Sequence, residues 1–182
     1  MCQVNDMNRE KFLDDLLKKR TLYIEGEVTH EMAKWIGSSI LWLNAQDDSS
    51  EIILYINSAG GTVTAGLDLY DIVRHSKAPI TGIVFRCANS MASIVLQACK
   101  TRKALRHSQI VLHNIKTTKE WHEFEENLEK TLHDTKRDQQ SIYKILTERT
   151  GRTMEEVIKA CREAKEMTSE EAKEFGLIDE VI

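Results

Sequence analysis

Apolar positions along the first two thirds of the chain alternate between continuous short runs and a helical spacing of three to four residues. Short, mostly apolar runs of three to six residues predict strands of a parallel sheet, and the helical spacing predicts amphipathic helices. The predicted strands are 22–24, 52–56, 80–85 and 110–112. The predicted helices are 30–43, 63–73 and 90–99. The strands 52–56 and 80–85 are apolar enough that we expect both of their faces to be buried. This order predicts an α/β fold with a mostly parallel sheet.

A long helix is predicted over residues 119–149, because neither glycine nor proline occurs between positions 83 and 150. Its apolar residues form one stripe, and its other faces are strongly charged. The stripe consists of Trp121, Phe124, Leu128 and Leu132. A helix that buries a single stripe is typical of packing against another subunit or of projection from the body.

The C-terminal part contains two capping boxes, Thr153 with Glu156 and Thr168 with Glu171, which predict two helix starts. Gly176 is expected to end the last helix, and a final strand is expected to begin at Leu177. The chain is therefore divided into a flexible, polar segment at 1–11 and one domain at 12–182.

Composition and charge favour a single globular domain and argue against nucleic-acid-binding and membrane proteins. The 182 residues are 41% hydrophobic and 30% charged, which is typical of a single globular domain. The net charge is −4 and the basic residues are scattered, so nothing predicts a nucleic-acid surface. No apolar run is long enough for a bilayer span, and no signal layout is present, so we expect a cytoplasmic protein with no membrane contact.

The four cysteines have neither C-x-x-C spacing nor zinc-ligand spacing, and we expect them to be reduced core residues. No metal site is predicted.

Three segments place chemically useful groups where a predicted strand ends. The glycine pair Gly60-Gly61 can expose backbone N–H groups, Ser90 can present a hydroxyl, and His113 can act as a base. Each has a structural alternative: a tight turn, a helix N-cap and a satisfied core histidine, respectively. The carboxyl ends of parallel strands meet at one edge of a sheet, so the three together favour a hydrolytic site.

These segments resemble the motifs of the Clp protease proteolytic subunit, a family of serine peptidases, and the resemblance extends over about 12–182. LYINSAGGTVTAG at 54–66 resembles the family's Y-I-N-S-P-G-G-x-V-x-A-G. ANSMA at 88–92 resembles A-A-S-M-G around the nucleophile, and SQIVLH at 108–113 resembles S-R-V-M-I-H, which ends in the base. SEEAKEFGLID at 169–179 is similar to the C-terminal signature.

The resemblance implies a crotonase-like Clp-protease fold with repeated β-β-α-type units and a protruding handle helix. It implies Ser90 as nucleophile, His113 as general base, and the backbone N–H groups of Gly61 and Met91 as an oxyanion hole. It also implies stacked heptameric rings that form a tetradecamer, protein or peptide substrates, an AAA+ unfoldase ATPase as partner, and no cofactor. The implied docking patch for that unfoldase comprises Ile53, Tyr55, Ile83, Phe85 and Leu105.

The chain departs from the family at the third triad position. Alignment on the C-terminal signature puts the family's aspartate at Ala164. Glu163 or Glu166 is a possible substitute, although either is equally explained as a solvated helix charge. Two other functions therefore stay open. One is an impaired subunit that acts as scaffold or regulator in a mixed ring. The other is a crotonase-type acyl-CoA enzyme, which would need a carboxylate near Ser90.

Overall fold

The computed structural model describes the backbone of residues 6–116 and 121–182 and the side chains of residues 11–116 and 129–182. The helices are α1 Asp6–Lys18, α2 His30–Gln46, α3 Val63–His75, α4 Met91–Ala98, α5 Trp121–Thr150, α6 Met154–Arg162 and α7 Ser169–Phe175. The strands are β1 Thr21–Val28, β2 Ile52–Gly61, β3 Ile80–Asn89, β4 Thr101–Ala104, β5 Gln109–Val111, β6 Glu166–Thr168 and β7 Glu180–Val181.

The seven strands form one sheet, in which β1, β2, β3, β4 and β7 are neighbours in that order. All of these pairs are parallel, so the prediction of an α/β fold with a mostly parallel sheet is confirmed. β3 is long enough to pair with β4 along its first half and with β5 near its end. The single antiparallel pair among the described residues is β5 with β6.

The sheet buries one face under helices and leaves its other face partly open. Along β2, Ile52, Leu54 and Ile56 are fully buried, whereas Ile53 and Tyr55 are only partly buried. α2 packs against β1, and α4 packs against β2 and β3, all on the buried face. The prediction of burial on both faces is therefore wrong for strand 52–56. In strand 80–85 it is wrong at Ile83 and Phe85, whereas residues 80–82 are all buried. Each fully buried isoleucine or leucine contributes about 1.5–3 kcal/mol to stability.

The long helix α5 begins and ends close to the predicted limits, although residues 119 and 120 lie outside the described part of the chain. Its C-terminal part is packed on the domain through Ile142, Tyr143 and Leu146, all of which are buried. Of the predicted apolar stripe, only the Leu132 side chain is described, and it is 51% exposed. The helix is anchored to the domain at its C-terminal end.

The two ends of the chain agree only partly with prediction. α1 begins at Asp6, inside the segment that we expected to be flexible, and residues 1–5 lie outside the described chain. Both capping boxes are confirmed by reciprocal side-chain hydrogen bonds. Gly176 ends α7 in the left-handed conformation, as predicted, and the last strand begins at Glu180 rather than at Leu177.

A buried arginine joins the ends of four elements. The Arg102 guanidinium donates to Gln97 Oε1, to the carbonyls of Arg149 and Gly176, and to the Asp179 carboxylate at 2.5 Å. Burial alone would raise the pKa of Asp179, but hydrogen bonds and charge from Arg102 hold that pKa below its usual value. The contacts fasten the C-terminal ends of α5 and α7 to the sheet.

The thiols of Cys99 and Cys161 are free and buried, and Cys87 is partly exposed. Burial raises the pKa of Cys161 to about 11, so this thiol stays protonated at neutral pH. None of the described helices combines the length and apolar character that a membrane span needs.

Candidate active site

Ser90 occupies the sharp turn between β3 and α4. Its backbone angles are φ 53° and ψ −127°, a conformation that residues with a side chain adopt rarely. Although Ser90 is the N-cap residue of α4, its hydroxyl makes no capping hydrogen bond. The backbone N–H of Ser90 donates to the carbonyl of Val111, two residues before His113. Among the described residues, the Ser90 hydroxyl therefore does not stabilise the helix start, and the strained turn indicates a role other than capping.

The glycine pair at the end of β2 lies directly beside this turn. A Cβ on Gly60 would be 2.6 Å from Ser90 Cβ and 3.0 Å from the Met91 backbone nitrogen, so only glycine fits there. Gly60 also has φ +98°, in the region that favours glycine. A Cβ on Gly61 would be 2.4 Å from the carbonyl oxygen of Val28. Gly60 thus allows the β2 backbone to lie against the start of α4. A simple strand-to-helix turn would not need so close an approach.

His113 follows β5 by two residues and is partly buried. Its Nδ1 lies 2.6 Å from the backbone carbonyl oxygen of Asn114. A carbonyl oxygen can only accept a hydrogen bond, so Nδ1 carries a proton, and in the neutral imidazole Nε2 then keeps its lone pair. This is the tautomer that a general base needs at Nε2.

Ser90 and His113 line the same cleft, which has a volume of about 80 Å³. Gly61 and Met91 lie in the cleft wall beside Ser90. The remaining lining residues, mostly apolar, are Val63, Ser93, Ile94, Leu112, Ile115, Lys116, Ile142, Leu146 and Cys161. No aspartate or glutamate is among the described residues that line it. Ser90 and His113 share no hydrogen bond within residues 11–116 and 129–182, and such contacts often tighten only when substrate is bound.

Ala164 lies in the turn between α6 and β6, and both neighbours of His113 bond to this turn. The Leu112 N–H donates to the Lys165 carbonyl and the Asn114 N–H to the Cys161 carbonyl, both at 3.1 Å. Ala164 itself has a left-handed φ of 49°. The position aligned with the family's aspartate is thus on the turn that flanks His113, but it carries only a methyl group.

Neither substitute acid is found at the imidazole. Glu163 is exposed and lies 4.0 Å from Lys159, an ion pair along the surface of α6. Glu166 is also exposed and accepts a hydrogen bond from Gln109 at 2.9 Å. Both contacts agree with solvated charges, the alternative left open in the sequence analysis. In the described part of the chain, the Asn114 carbonyl is the hydrogen-bond partner of His113.

The expected docking patch lies on the open face of the sheet, away from this cleft. Ile53, Tyr55, Ile83 and Phe85 are partly exposed, and Leu105 is 40% exposed, so they do not simply fill the core. The rings of Tyr55 and Phe85 lie 6.4 Å apart, edge to face. Tyr23, which the sequence analysis did not include, stacks on Tyr55 at 5.0 Å between centroids.

Sequence reasoning identified Gly60 as part of a glycine pair that indicates a close backbone approach, but it missed Asn114 and Tyr143. These two residues had no signal in the sequence, because the Tyr143 hydroxyl reaches Asn114 Oδ1, at 2.6 Å, only in the folded chain.

The family model described as Clp protease matches residues 5–182, nearly the whole chain. The described residues contain no group of three or more histidine, cysteine, aspartate or glutamate side chains placed to hold a metal ion.

Proposed function

Because the chain belongs to the Clp protease family, we propose that it is a serine endopeptidase subunit with Ser90 as nucleophile and His113 as general base. The observation that carries the proposal is the strained, uncapped Ser90 in one cleft with a histidine whose Nδ1 faces the Asn114 carbonyl. Family membership supports the reaction class, and the geometry supports the choice of residues.

The reaction begins when Ser90 Oγ attacks the carbonyl carbon of a peptide bond and its proton passes to His113 Nε2. The tetrahedral intermediate collapses, the C–N bond breaks, and Nε2 returns the proton to the leaving amine. Water then attacks the acyl-enzyme with the same histidine as base, releasing the acid and regenerating the hydroxyl. No electron transfer or cofactor is required.

The oxyanion formed in these steps needs hydrogen-bond donors beside Ser90. The Met91 backbone N–H is suited to this role because it is at the first position of α4, where no intrahelical carbonyl accepts from it. We assign the second donor to the Gly61 backbone N–H, because Gly61 lines the same cleft as Ser90. One such donor contributes about 10²–10³ in rate.

We propose that the subunit works in rings, as heptamers stacked into a tetradecamer, with α5, on which Leu132 is 51% exposed, at the contact between rings. Enclosure restricts substrates to peptides and unfolded chains. The aromatic cluster Tyr23, Tyr55 and Phe85, which is partly exposed on the open sheet face, suits docking of an ATP-driven unfoldase. Lys103 lies at the edge of this face and pairs with Glu180 at 2.6 Å. Burying this charge under a partner costs desolvation energy, so Lys103 disfavours partners that would cover it with apolar groups.

A fluorophosphonate probe tests the catalytic assignment, since it labels only activated serines. The full-length chain should be labelled once, and Ser90→Ala should abolish the label. Ser38→Ala, an exposed serine on α2, is the matched control and should be labelled like the wild type.

Absence of labelling in every assembly state would overturn the peptidase proposal and favour a scaffold or regulator in a mixed ring. The acyl-CoA alternative has no support in the cleft, where none of the described lining residues is acidic. Turnover of a CoA thioester without peptide cleavage would revive it.

A further inference from the structure

His113 has no carboxylate partner among the side chains that the structure describes, yet its ring is held by a hydrogen bond. Its Nδ1–H donates to the Asn114 carbonyl at 2.6 Å, a bond between a side chain and the next residue's backbone. Such a contact fixes the ring only if the backbone of Asn114 is itself fixed. The surroundings of Asn114 therefore decide whether the imidazole stays oriented.

Asn114 is held by two further contacts. Its backbone N–H donates to the Cys161 carbonyl at 3.1 Å, and its Oδ1 accepts from the Tyr143 hydroxyl at 2.6 Å. The next residue, Ile115, donates its N–H to Gln139 Oε1 at 2.7 Å. Gln139 and Tyr143 are four residues apart on α5 and thus share one helix face. Gln139 and Tyr143 of α5 therefore hold residues 114 and 115, which directly follow His113.

Resting on the proposed function, we propose that the Asn114 carbonyl takes the orienting role of the missing triad carboxylate, and that Tyr143 on α5 is the positioning residue that holds it there. Tyr143 is suited to this because it is only 6% exposed and its ring packs in the core. Its hydroxyl loses little freedom in making the bond. A carbonyl supplies the tautomer and the orientation, but less charge stabilisation of the imidazolium than a carboxylate.

Tyr143→Phe removes the hydroxyl and keeps the ring. We expect the second-order rate of fluorophosphonate labelling at Ser90 to fall about 3- to 10-fold, the effect of losing one hydrogen bond. Tyr70→Phe is the matched control. Tyr70 is 8% exposed on α3, and its hydroxyl bonds to no described residue, so its labelling rate should not change. Equal rates for Tyr143→Phe and the wild type would overturn the proposal.

A second variant separates orientation from general destabilisation. Ala164→Asp places a carboxylate on the turn that flanks His113, and we expect labelling to accelerate by about tenfold or more. With that carboxylate present, adding Tyr143→Phe should no longer slow labelling. The acidic limb of the pH–rate profile should also move to higher pH in Ala164→Asp, because the carboxylate favours the imidazolium. If Tyr143→Phe slows Ala164→Asp as much as it slows the wild type, the positioning role is refuted.

A spectroscopic measurement distinguishes failure of this inference from failure of the proposed function. Solid-state ¹⁵N spectra of the histidine-labelled chain, assigned with His113→Gln, report which ring nitrogen carries the proton. We expect protonated Nδ1 in the wild type and a mixture of tautomers in Tyr143→Phe. A wild-type Nε2–H tautomer overturns the inference whether or not Ser90 is reactive. Absent labelling together with the expected spectra overturns only the peptidase assignment.

Discussion

Replacing Ser90 with glycine should stabilise the protein while abolishing catalysis. The backbone at Ser90 has φ 53° and ψ −127°, a conformation in which a Cβ is strained and glycine is not. The serine hydroxyl makes no capping bond that glycine would forfeit. Strain of this kind costs about 1–3 kcal/mol, so its relief is the main expected effect of Ser90→Gly.

An opposing term comes from the unfolded state, where glycine has more conformational freedom and lowers stability by about 0.4–1 kcal/mol. The balance is a gain of about 0.5–2 kcal/mol for Ser90→Gly relative to Ser90→Ala, which keeps the Cβ. For a chain of 182 residues, this corresponds to a rise in Tm of about 1–8 °C. Ser90→Ala itself should melt near the wild type.

Thermal and urea denaturation at one protomer concentration measure the difference, since assembly shifts apparent stability. The matched control is Ser38 in α2, where the glycine variant should be less stable than the alanine variant by about 0.5–1 kcal/mol. If glycine is no better than alanine at position 90, the turn is not strained and the argument from geometry to function loses its basis.

Two further substitutions test the packing around the cleft and the domain. Gly60→Ala should destabilise the fold and abolish fluorophosphonate labelling, because its Cβ meets the nucleophile turn at 2.6 Å. Gly26→Ala, with φ +83° but no atom within 4 Å, should retain labelling. Asp179→Asn should lower the free energy of unfolding by about 1–3 kcal/mol, because the buried Arg102 loses its charged partner. The pKa of Asp179 is lower in the folded state than in the unfolded state, so the ionised carboxylate stabilises the fold at pH values above the unfolded-state pKa. This stabilisation is lost as the pH falls through the folded-state pKa. The difference between wild type and Asp179→Asn should therefore shrink in acid; urea midpoints that differ equally at neutral and acidic pH would contradict this.

The long strands and the helices between them were predictable because their apolar residues follow clear periods. β4 was not, because its inward-facing side chains include Arg102, which is buried only through its bonds to Asp179, Gln97 and two carbonyls. A hydropathy pattern cannot anticipate a charge whose partners lie up to 77 residues away. The half-open sheet face was missed for a related reason, since an apolar run does not reveal whether a second layer covers it.

The candidate site residues were predictable from the sequence, but the contacts that orient His113 were not. A glycine pair, a serine and a histidine at successive strand ends carry a signal in the sequence itself. The hydrogen bond that holds Asn114 beside the histidine depends on the packing of α5 on the domain, which brings Tyr143 to Asn114 across 29 residues of chain. Glu163 and Glu166 are neighbours of the aligned position in sequence, whereas the described partner of the imidazole is a backbone atom.

No acid reaches His113 among the described residues, and we expect this to affect the rate of the proposed reaction more than its class. Replacement of the triad acid in a serine protease lowers kcat by about 10⁴, largely because the histidine takes the wrong tautomer. In the proposed arrangement the Asn114 carbonyl favours the correct tautomer, so the expected deficit is smaller and comes mainly from weaker stabilisation of the imidazolium. A subunit that acts only as a scaffold would be more stable with glycine at position 90, or with a serine whose hydroxyl caps α4. This chain instead has a serine in a strained conformation, and its hydroxyl makes no capping hydrogen bond.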